Sequence, residues 1–411
     1  MIEPLLPLSR DLLRIHNRPY RRALFHEKPF TSRFSILLGQ RGVGKTTLIA
    51  QYLMSKYKDK NSDKILFVQA DHFLVGGMSL YEIAEEFRNL GGETVCFDEI
   101  HKYPEWSREL KSIYDTFPTL TVIASGSSSL EIGRGSHDLS RRAVVTHMQG
   151  MSFREYSELS LGCTLPTVPL ESIITGHAKA VDTILETIRA KHKTILALFR
   201  NYREQGYYPY FNEINDTKLF HITLEQQMHT TLENDLVAVQ PSITGASVKR
   251  IKKLLSIIAR SVPFTPDLKA LKQLLDIGDE RTLKMYLKYL EDAGLIRTFS
   301  GAGKGLRALE RPEKIYLNNT NQAYAIGGEH AVNKGNIRET FFASAISPQH
   351  ALTLPKTGDF LVDGRYLFEI GGKNKGFEQI RNTKDAFLAL DDIESGAGSK
   401  IIPLWLFGFL Y

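Results

Sequence analysis

The sequence predicts an α/β chain: a parallel sheet covered by helices on both faces, then a helical region, a winged helix-turn-helix and a small α+β domain. Three observations carry that reading. Over roughly the first 150 residues, short apolar runs alternate with amphipathic stretches, the pattern of strands joined by crossover helices. A glycine-rich octet, Gly39-Gln40-Arg41-Gly42-Val43-Gly44-Lys45-Thr46, stands between the first apolar run and the first helical stretch. Beyond Ser152 the strand signal fades into long stretches of helical periodicity.

Taken in order, FSILLG, KILFVQAD, TVCFDE and LTVIASGS read as four strands. The stretch after Gly44, the stretch from Ser79 to Asn89 and SRELKSIYDTF read as the helices between them. AVDTILETIRAKHKTILALFRNYREQ reads as helix, part of a helical lid. VKRIKKLLSIIARS, LKALKQLLDIG and DERTLKMYLKYLEDAG then give three helices, the last ending at Gly294, a residue suited to a left-handed cap. LIRTF, the turn SGAGKG and EKIYL complete a winged helix with a two-stranded ribbon. A helix around Ile337–Ala345, strands at DFLV and YLFEIG, and a buried terminal strand in IIPLWLFGFLY close the chain. The expected divisions are 1–151, 152–247, 248–317 and 318–411.

Composition agrees. A chain of 411 residues exceeds one ordinary core, and roughly two to four domains of about 100–200 residues are expected. Hydrophobic residues at 42% and charged residues at 24% are globular usage, which excludes a largely disordered chain. No apolar run approaches the ~20 residues of a membrane helix. Two cysteines, Cys96 and Cys163, with no export signal fit a reducing cytoplasm and no disulfide framework. Cys96 falls in an apolar strand and is expected to be buried. Between Gly245 and Lys314, nine Lys and six Arg stand against four Asp and four Glu, a local balance of +7 within a net charge of +6. Such a segment suits nucleic acid, an acidic protein surface or plain solvation.

The octet has the form of a phosphate-binding loop, with a strand before it and a helix after it. Its glycines let backbone N–H groups converge on an anion, and the helix aims its positive end at the same place. Lys45 is expected at the β- and γ-phosphates of ATP and the Thr46 hydroxyl on Mg²⁺. Thr47 is placed for a further phosphate hydrogen bond. Asp98 and Glu99 end an apolar strand, where buried charge is costly unless it faces a cleft. Asp98 is expected to hold the Mg²⁺ hydration shell and Glu99 to polarise an attacking water; the other reading is a cap on the next helix. Ser125 and Ser127 end the fourth strand, to touch phosphate or to form a turn. Arg141 and Arg142 follow, as an arginine finger acting in trans in a homo-oligomer or as a solvated pair.

The strings GQRGVGKT, CFDEIHKYPEW, ASGSSSLEI and LSRRAVVTHMQGMSFREY, in that order, resemble the AAA-type ATPase domain of bacterial and archaeal ATP-binding proteins that carry a C-terminal domain of unknown function. The resemblance implies an AAA-like P-loop core, a helical region, a winged helix and a C-terminal domain similar to PD-(D/E)XK nucleases. It matches Lys45 and Thr46 to phosphate and magnesium positions, Asp98 and Glu99 to metal-holding and water-activating ones, and Arg141 or Arg142 to the arginine after the sensor segment. Gly206-Tyr207-Tyr208-Pro209 resembles an element that approaches the nucleotide in related ATPases.

A nuclease site needs clustered acids for Mg²⁺ and a lysine for the attacking water. Asp359 and Glu369 lie on successive strands, and Glu339 lies on the preceding helix. The family lysine position is Gly371 here, with Lys373 and Lys375 nearby. In the winged helix, Arg281, Lys284 and Lys288 share a helix face, and Lys304 and Arg307 lie in the wing. These suit DNA phosphate contacts, or the domain packs against protein. Three functions fit: an ATP-driven switch associated with duplex DNA, an ATP-regulated nuclease, and an ATP-dependent scaffold for a protein partner.

Overall fold

The structure, a computed structural model, describes residues 2–57, 63–126, 139, 141–240, 242–260, 263–301, 312–328 and 333–411. The chain divides into two compact units. The first holds 1–150 together with 233–243, and the second holds 151–232 together with 244–411.

The first unit is a parallel sheet of five strands: β1 (Phe34–Leu38), β2 (Ile65–Gln69), β3 (Thr94–Asp98), β4 (Thr121–Gly126) and β5 (Val144–His147). Their spatial order is β2-β3-β4-β1-β5, every neighbouring pair parallel. β1 and β3 are buried at every residue, as near-continuous apolar runs covered on both faces require. Ile36, Leu38, Leu66, Val68, Val95, Phe97 and Val122 form the core with residues of the flanking helices. Those helices are α1 (Leu5–His16), α2 (Lys45–Lys56), α3 (Leu80–Asn89) and α4 (Trp106–Thr116). Ser79 and Glu82 close a capping box that starts α3. β5 was not evident in the sequence. It is an edge strand with Val144 and Val145 exposed, so it lacks both alternation and an apolar run. Cys96 is buried, and its thiol is pushed well up by desolvation.

The second unit begins with α5 (Phe153–Leu161), capped by a Ser152–Glu155 box. The helix expected across AVDTILETIRAKHKTILALFRNYREQ is broken into α6 (Ala178–Arg189) and α7 (Ile195–Asn201), then a π-turn over Tyr202–Gly206. His192, in the left-handed region, marks the break. The three helices of the expected winged helix are α8 (Gly245–Arg260), α9 (Leu268–Leu274) and α10 (Glu280–Asp292). Gly294 caps the last with φ 70°. β6 (Ile296–Phe299) and β7 (Lys314–Leu317) pair antiparallel as the ribbon. After α11 (Thr320–Gly327) and α12 (Lys334–Ile346) comes a mixed sheet, β8 (Leu352–Thr353), β9 (Phe360–Val362), β10 (Tyr366–Gly371), β11 (Ala386–Leu390) and β12 (Ile401–Pro403), in linear order. The terminal apolar stretch is buried, but it is a strand only to Pro403. It then turns into a 3₁₀ helix over Leu404–Phe409, because proline has no N–H for the ladder.

The π-turn leaves backbone groups that α-helical bonding would have used. Asn321, fully buried, donates to the carbonyls of Tyr202 and Arg203 at 3.0 and 2.8 Å and accepts from the Tyr207 N–H at 2.8 Å. Thr320 donates to Arg203 at 2.7 Å, and Asn319 and Gln322 both donate to the buried Tyr208 hydroxyl. Desolvation raises the pKa of Tyr208. Tyr207 and Tyr208 of Gly206-Tyr207-Tyr208-Pro209 take part in this network within the second unit. Replacing Asn321 with Ala strands the Tyr202 carbonyl and the Tyr207 N–H, while Thr320 still serves the Arg203 carbonyl, and should cost about 2 kcal/mol. A urea-unfolding midpoint for Asn321→Ala within error of wild type would show that the network does not hold the unit together.

Candidate functional site

Strand order positions the site. β4 lies between β1 and β3, so the loop after β1 and the acids ending β3 meet around the carboxyl end of β4. The glycines of that loop are demanded by geometry. A Cβ on Gly39 would lie 2.5 Å from the Met148 carbonyl oxygen of the β5 connection. Gly42 and Gly44 have φ of 82° and 98°. Gly44 is also the N-cap of α2, and Lys45, Thr46 and Thr47 form its first turn. Gln40, Arg41 and Val43 complete the loop. Val43 is fully buried and anchors it.

Lys45 is 4% exposed and donates to the carbonyls of Gly39 and Gln40 at 3.0 and 3.1 Å. Desolvation lowers its pKa, and the charges of Glu99 and Asp98 oppose that shift. One residue onward, the Thr46 hydroxyl donates to Asp98 Oδ2 at 2.7 Å. The Ser125 hydroxyl donates to Asp98 Oδ1 and accepts from the Glu99 N–H at 3.3 Å. Thr46, Asp98, Ser125 and Glu99 thus form one hydrogen-bonded run across β3, β4 and the start of α2. Ser125 is fully buried, and its hydroxyl braces the acid pair. Ser127 lies outside the described residues.

Glu99 has φ 53°, strained for a non-glycine residue. It does not cap the following 3₁₀ turn with its side chain, which disposes of the capping alternative. Its Oε2 is buried and makes no hydrogen bond; His101 Nε2 stands 3.6 Å away and Lys102 Nζ 3.9 Å away. An orphaned carboxylate oxygen beside a phosphate-binding loop suits a water molecule. Thr46 and Asp98 offer the two oxygen donors that Mg²⁺ takes from protein when phosphates and waters supply the rest.

Three contributors escaped sequence reading. Arg22, buried, donates to the carbonyls of Val43, Gln149 and Gly150 at 3.0, 3.1 and 2.8 Å, and so clamps the loop to the end of the unit. His101 has a side chain with no exposed surface, and Asp235 arrives from the returning segment 233–243. An isolated Arg or Asp far along the chain carries no local signal, whereas His101 could have been suspected from its place in the DEIHK string. Arg142, a candidate finger, is instead engaged by Asp115 of α4 at 2.8 and 2.9 Å. Arg141 is exposed.

In the second unit, Lys284 pairs with Glu280 and Lys288 with Asp292 along α10, while Arg281 is exposed at its start. Lys304 and Arg307 lie outside the described residues. Glu339 of α12 accepts from the Tyr316 hydroxyl at 2.7 Å and stands 3.8 Å from Lys314. Asp359 accepts from the Ile370 N–H at 2.7 Å. Lys375, not the expected Lys373, reaches buried Glu369 at 2.5 Å, while Lys373 is exposed. A Cβ on Gly371 would meet Lys375 Cβ and Cγ at 2.5 and 2.6 Å, so the Lys375 stem fills the space a side chain there would take. Among the described residues no group of three or more His, Cys, Asp or Glu side chains converges to hold a metal ion, and no helix is long and apolar enough to cross a membrane.

Residues 31–157 match a family described as an AAA domain, and residues 196–328 match a domain of unknown function. An uncharacterised protein of Methanocaldococcus jannaschii is 29% identical over 178 residues, which span 40% of this chain and 37% of that protein. A Walker-type ATPase of Pyrococcus abyssi aligns over 75% of this chain and 98% of its own, with 12% identity and a TM-score of 0.38. Cdc6p of Pyrobaculum aerophilum aligns over 79% and 92%, with 13% identity and a TM-score of 0.27. The sheet, the loop and the family match together make the first unit an AAA-type P-loop NTPase fold.

Proposed function

We propose that this chain hydrolyses ATP to ADP and phosphate with Mg²⁺, and that the reaction drives a conformational switch. The observation that carries this is the run Thr46–Asp98–Ser125–Glu99, which links a phosphate-binding loop to a carboxylate oxygen lacking a hydrogen bond. A loop alone supports binding. A braced acid pair beside it supports water attack.

The loop amides and the α2 N-terminus hold the phosphates, and Lys45 and Arg41 offset their charge. Thr46 and Asp98 are the residues that would hold Mg²⁺, which would supply positive charge to offset that of the phosphates. Glu99 orients a water toward the γ-phosphorus and takes its proton. The water oxygen bonds phosphorus as the bridging bond breaks and leaves its electron pair on ADP. Thr47, on the first turn of α2, is read as a further phosphate donor. Exposed Arg141 keeps the trans reading open to a homo-oligomer.

For the second unit, duplex DNA is the partner we favour. The basic segment 245–314 and the three-helix-plus-ribbon arrangement support it. The pairs Lys284–Glu280 and Lys288–Asp292 are surface i,i+4 pairs worth about 0.3–0.5 kcal/mol, which DNA phosphates can displace. A protein partner with an acidic surface is the alternative. A nuclease reading finds less support, because the acids Glu339, Asp359 and Glu369 are each bonded within the fold.

Steady-state hydrolysis decides the main reading. Lys45→Ala should lose ATP binding. Glu99→Gln should keep binding while kcat falls about 100-fold or more. Wild-type turnover untouched by Glu99→Gln would refute the assignment, and turnover unchanged by duplex DNA at low salt would turn the second unit toward protein. The C-terminal acids make a separate prediction. Burial, and next the charge of Glu339, push Asp359 up to about 6. An acid held above its unfolded value of about 3.9 favours the fold when protonated and opposes it when ionised. That opposition grows from about pH 4 and is complete above about pH 6. Asp359→Asn should therefore stabilise the protein by about 2–3 kcal/mol at pH 7.5 and leave it unchanged near pH 4. Thermal unfolding at both pH values checks this, and equal shifts at the two would contradict it.

A further inference from the structure

Asp235 is a buried carboxylate inside a site built for anions. Its side chain is 4% exposed, and its Oδ1 stands 3.8 Å from Arg41 Nη1 of the P-loop and 3.9 Å from His101 Nε2. The same His101 nitrogen lies 3.6 Å from Glu99 Oε2. Asp235 also contributes to the electrostatics of Lys45. A carboxylate here lowers the positive potential that would attract phosphate, so its presence calls for a purpose.

Its position in the chain supplies one. Asp235 ends a π-turn over Thr231–Asp235, a geometry that recurs at functional sites. Segment 233–243 belongs to the first unit, while Leu232 and Thr244 on either side of it belong to the second. The segment is thus held in the nucleotide-binding unit between two chain crossings, and it bears a charge that faces the loop.

We propose that Asp235 is a positioning residue of the ATPase site: it fixes the P-loop through Arg41 and the Glu99 turn through His101, and it competes with nucleotide phosphate for Arg41. The proposal rests on the ATPase reading. When phosphate engages Arg41, Asp235 loses that guanidinium and the hold on 233–243 weakens. When phosphate leaves, the pair re-forms. Nucleotide occupancy is thereby transmitted into a segment whose two ends continue directly into the second unit.

Hydrogen exchange on the full-length chain tests this, using peptides over 236–243 and 39–44, without nucleotide and with Mg·ATPγS. Asp235→Asn keeps shape and removes charge. Without nucleotide, it should speed exchange in both peptides relative to wild type. Arg41→Gln should speed exchange in 236–243 from the opposite partner, which guards against a local defect of one variant. Mg·ATPγS should raise exchange of 236–243 in wild type and leave it unchanged in Asp235→Asn. That variant should also bind ATPγS about two- to fivefold more tightly, with a lower kcat because Glu99 is less well held. Restoring the carboxylate as Asp235→Glu should return the nucleotide response in part. Equal exchange of wild type and Asp235→Asn without nucleotide would overturn the proposal, whether or not the chain hydrolyses ATP. Wild type that binds no ATPγS would overturn the ATPase reading instead, and the nucleotide-free comparison would still decide whether Asp235 tethers the segment.

Discussion

Asp98 is held by two hydroxyls that arrive from different elements, and the geometry of the first unit depends on that convergence. Thr46 comes from the first turn of α2 and Ser125 from the end of β4. A buried carboxylate is tolerated only when its oxygens are bonded. Here each oxygen has its own donor, and each donor fixes a separate part of the site. Thr46 sets the start of the phosphate helix against β3, and Ser125 sets β4 against the turn that carries Glu99. The strand order makes this possible, because only β4 separates the loop-bearing strand from the acid-bearing one.

The same logic explains why the site can store strain. Glu99 sits in a left-handed conformation costing of order 1–3 kcal/mol. It persists because its N–H is tied to Ser125 and its neighbours Asp98 and Ile100 are buried. Arg22 does for the phosphate loop what Ser125 does for the acids. Three carbonyls from two ends of the unit share one guanidinium, whose planar fork suits several acceptors at once. Side chains that touch no substrate thus set the positions of those that would.

Much of this architecture was legible in the sequence, for physical reasons. Strands buried on both faces appear as continuous apolar runs, so β1 to β4 and the helices between them were readable, and β5, exposed at the sheet edge, was not. The glycine octet announced its loop because positive φ and the close approach of Met148 admit no side chain. Asp98 and Glu99 stood out as charges closing an apolar strand. The role of Ser125 could not be read, since a hydroxyl after a strand faces either way until the neighbouring carboxylate is placed. The pairing of Arg142 with Asp115 and of Glu369 with Lys375 could not be read either, because these partners come from positions the local pattern does not relate. Arg22 and Asp235 act over 21 and 194 positions of chain from the loop residues they meet, beyond the reach of any local pattern.

Two π-turns mark where local periodicity and tertiary need part company. An α-helix advances about 100° per residue, so one inserted residue rotates every later side chain by that angle. At Tyr202–Gly206 the freed carbonyls are claimed by Asn321 and Thr320, and the insertion redirects the chain into Gly206-Tyr207-Tyr208-Pro209 within the second unit. At Thr231–Asp235 the insertion sets which residue faces Arg41 and His101. A regular helix would have turned a neighbour, such as Asn234 or Leu236, to that position. Neither could replace the charge that Arg41 meets. The irregularity is therefore part of the local geometry: it brings a carboxylate from the far side of a long helical excursion to the glycine-rich loop beside Arg41.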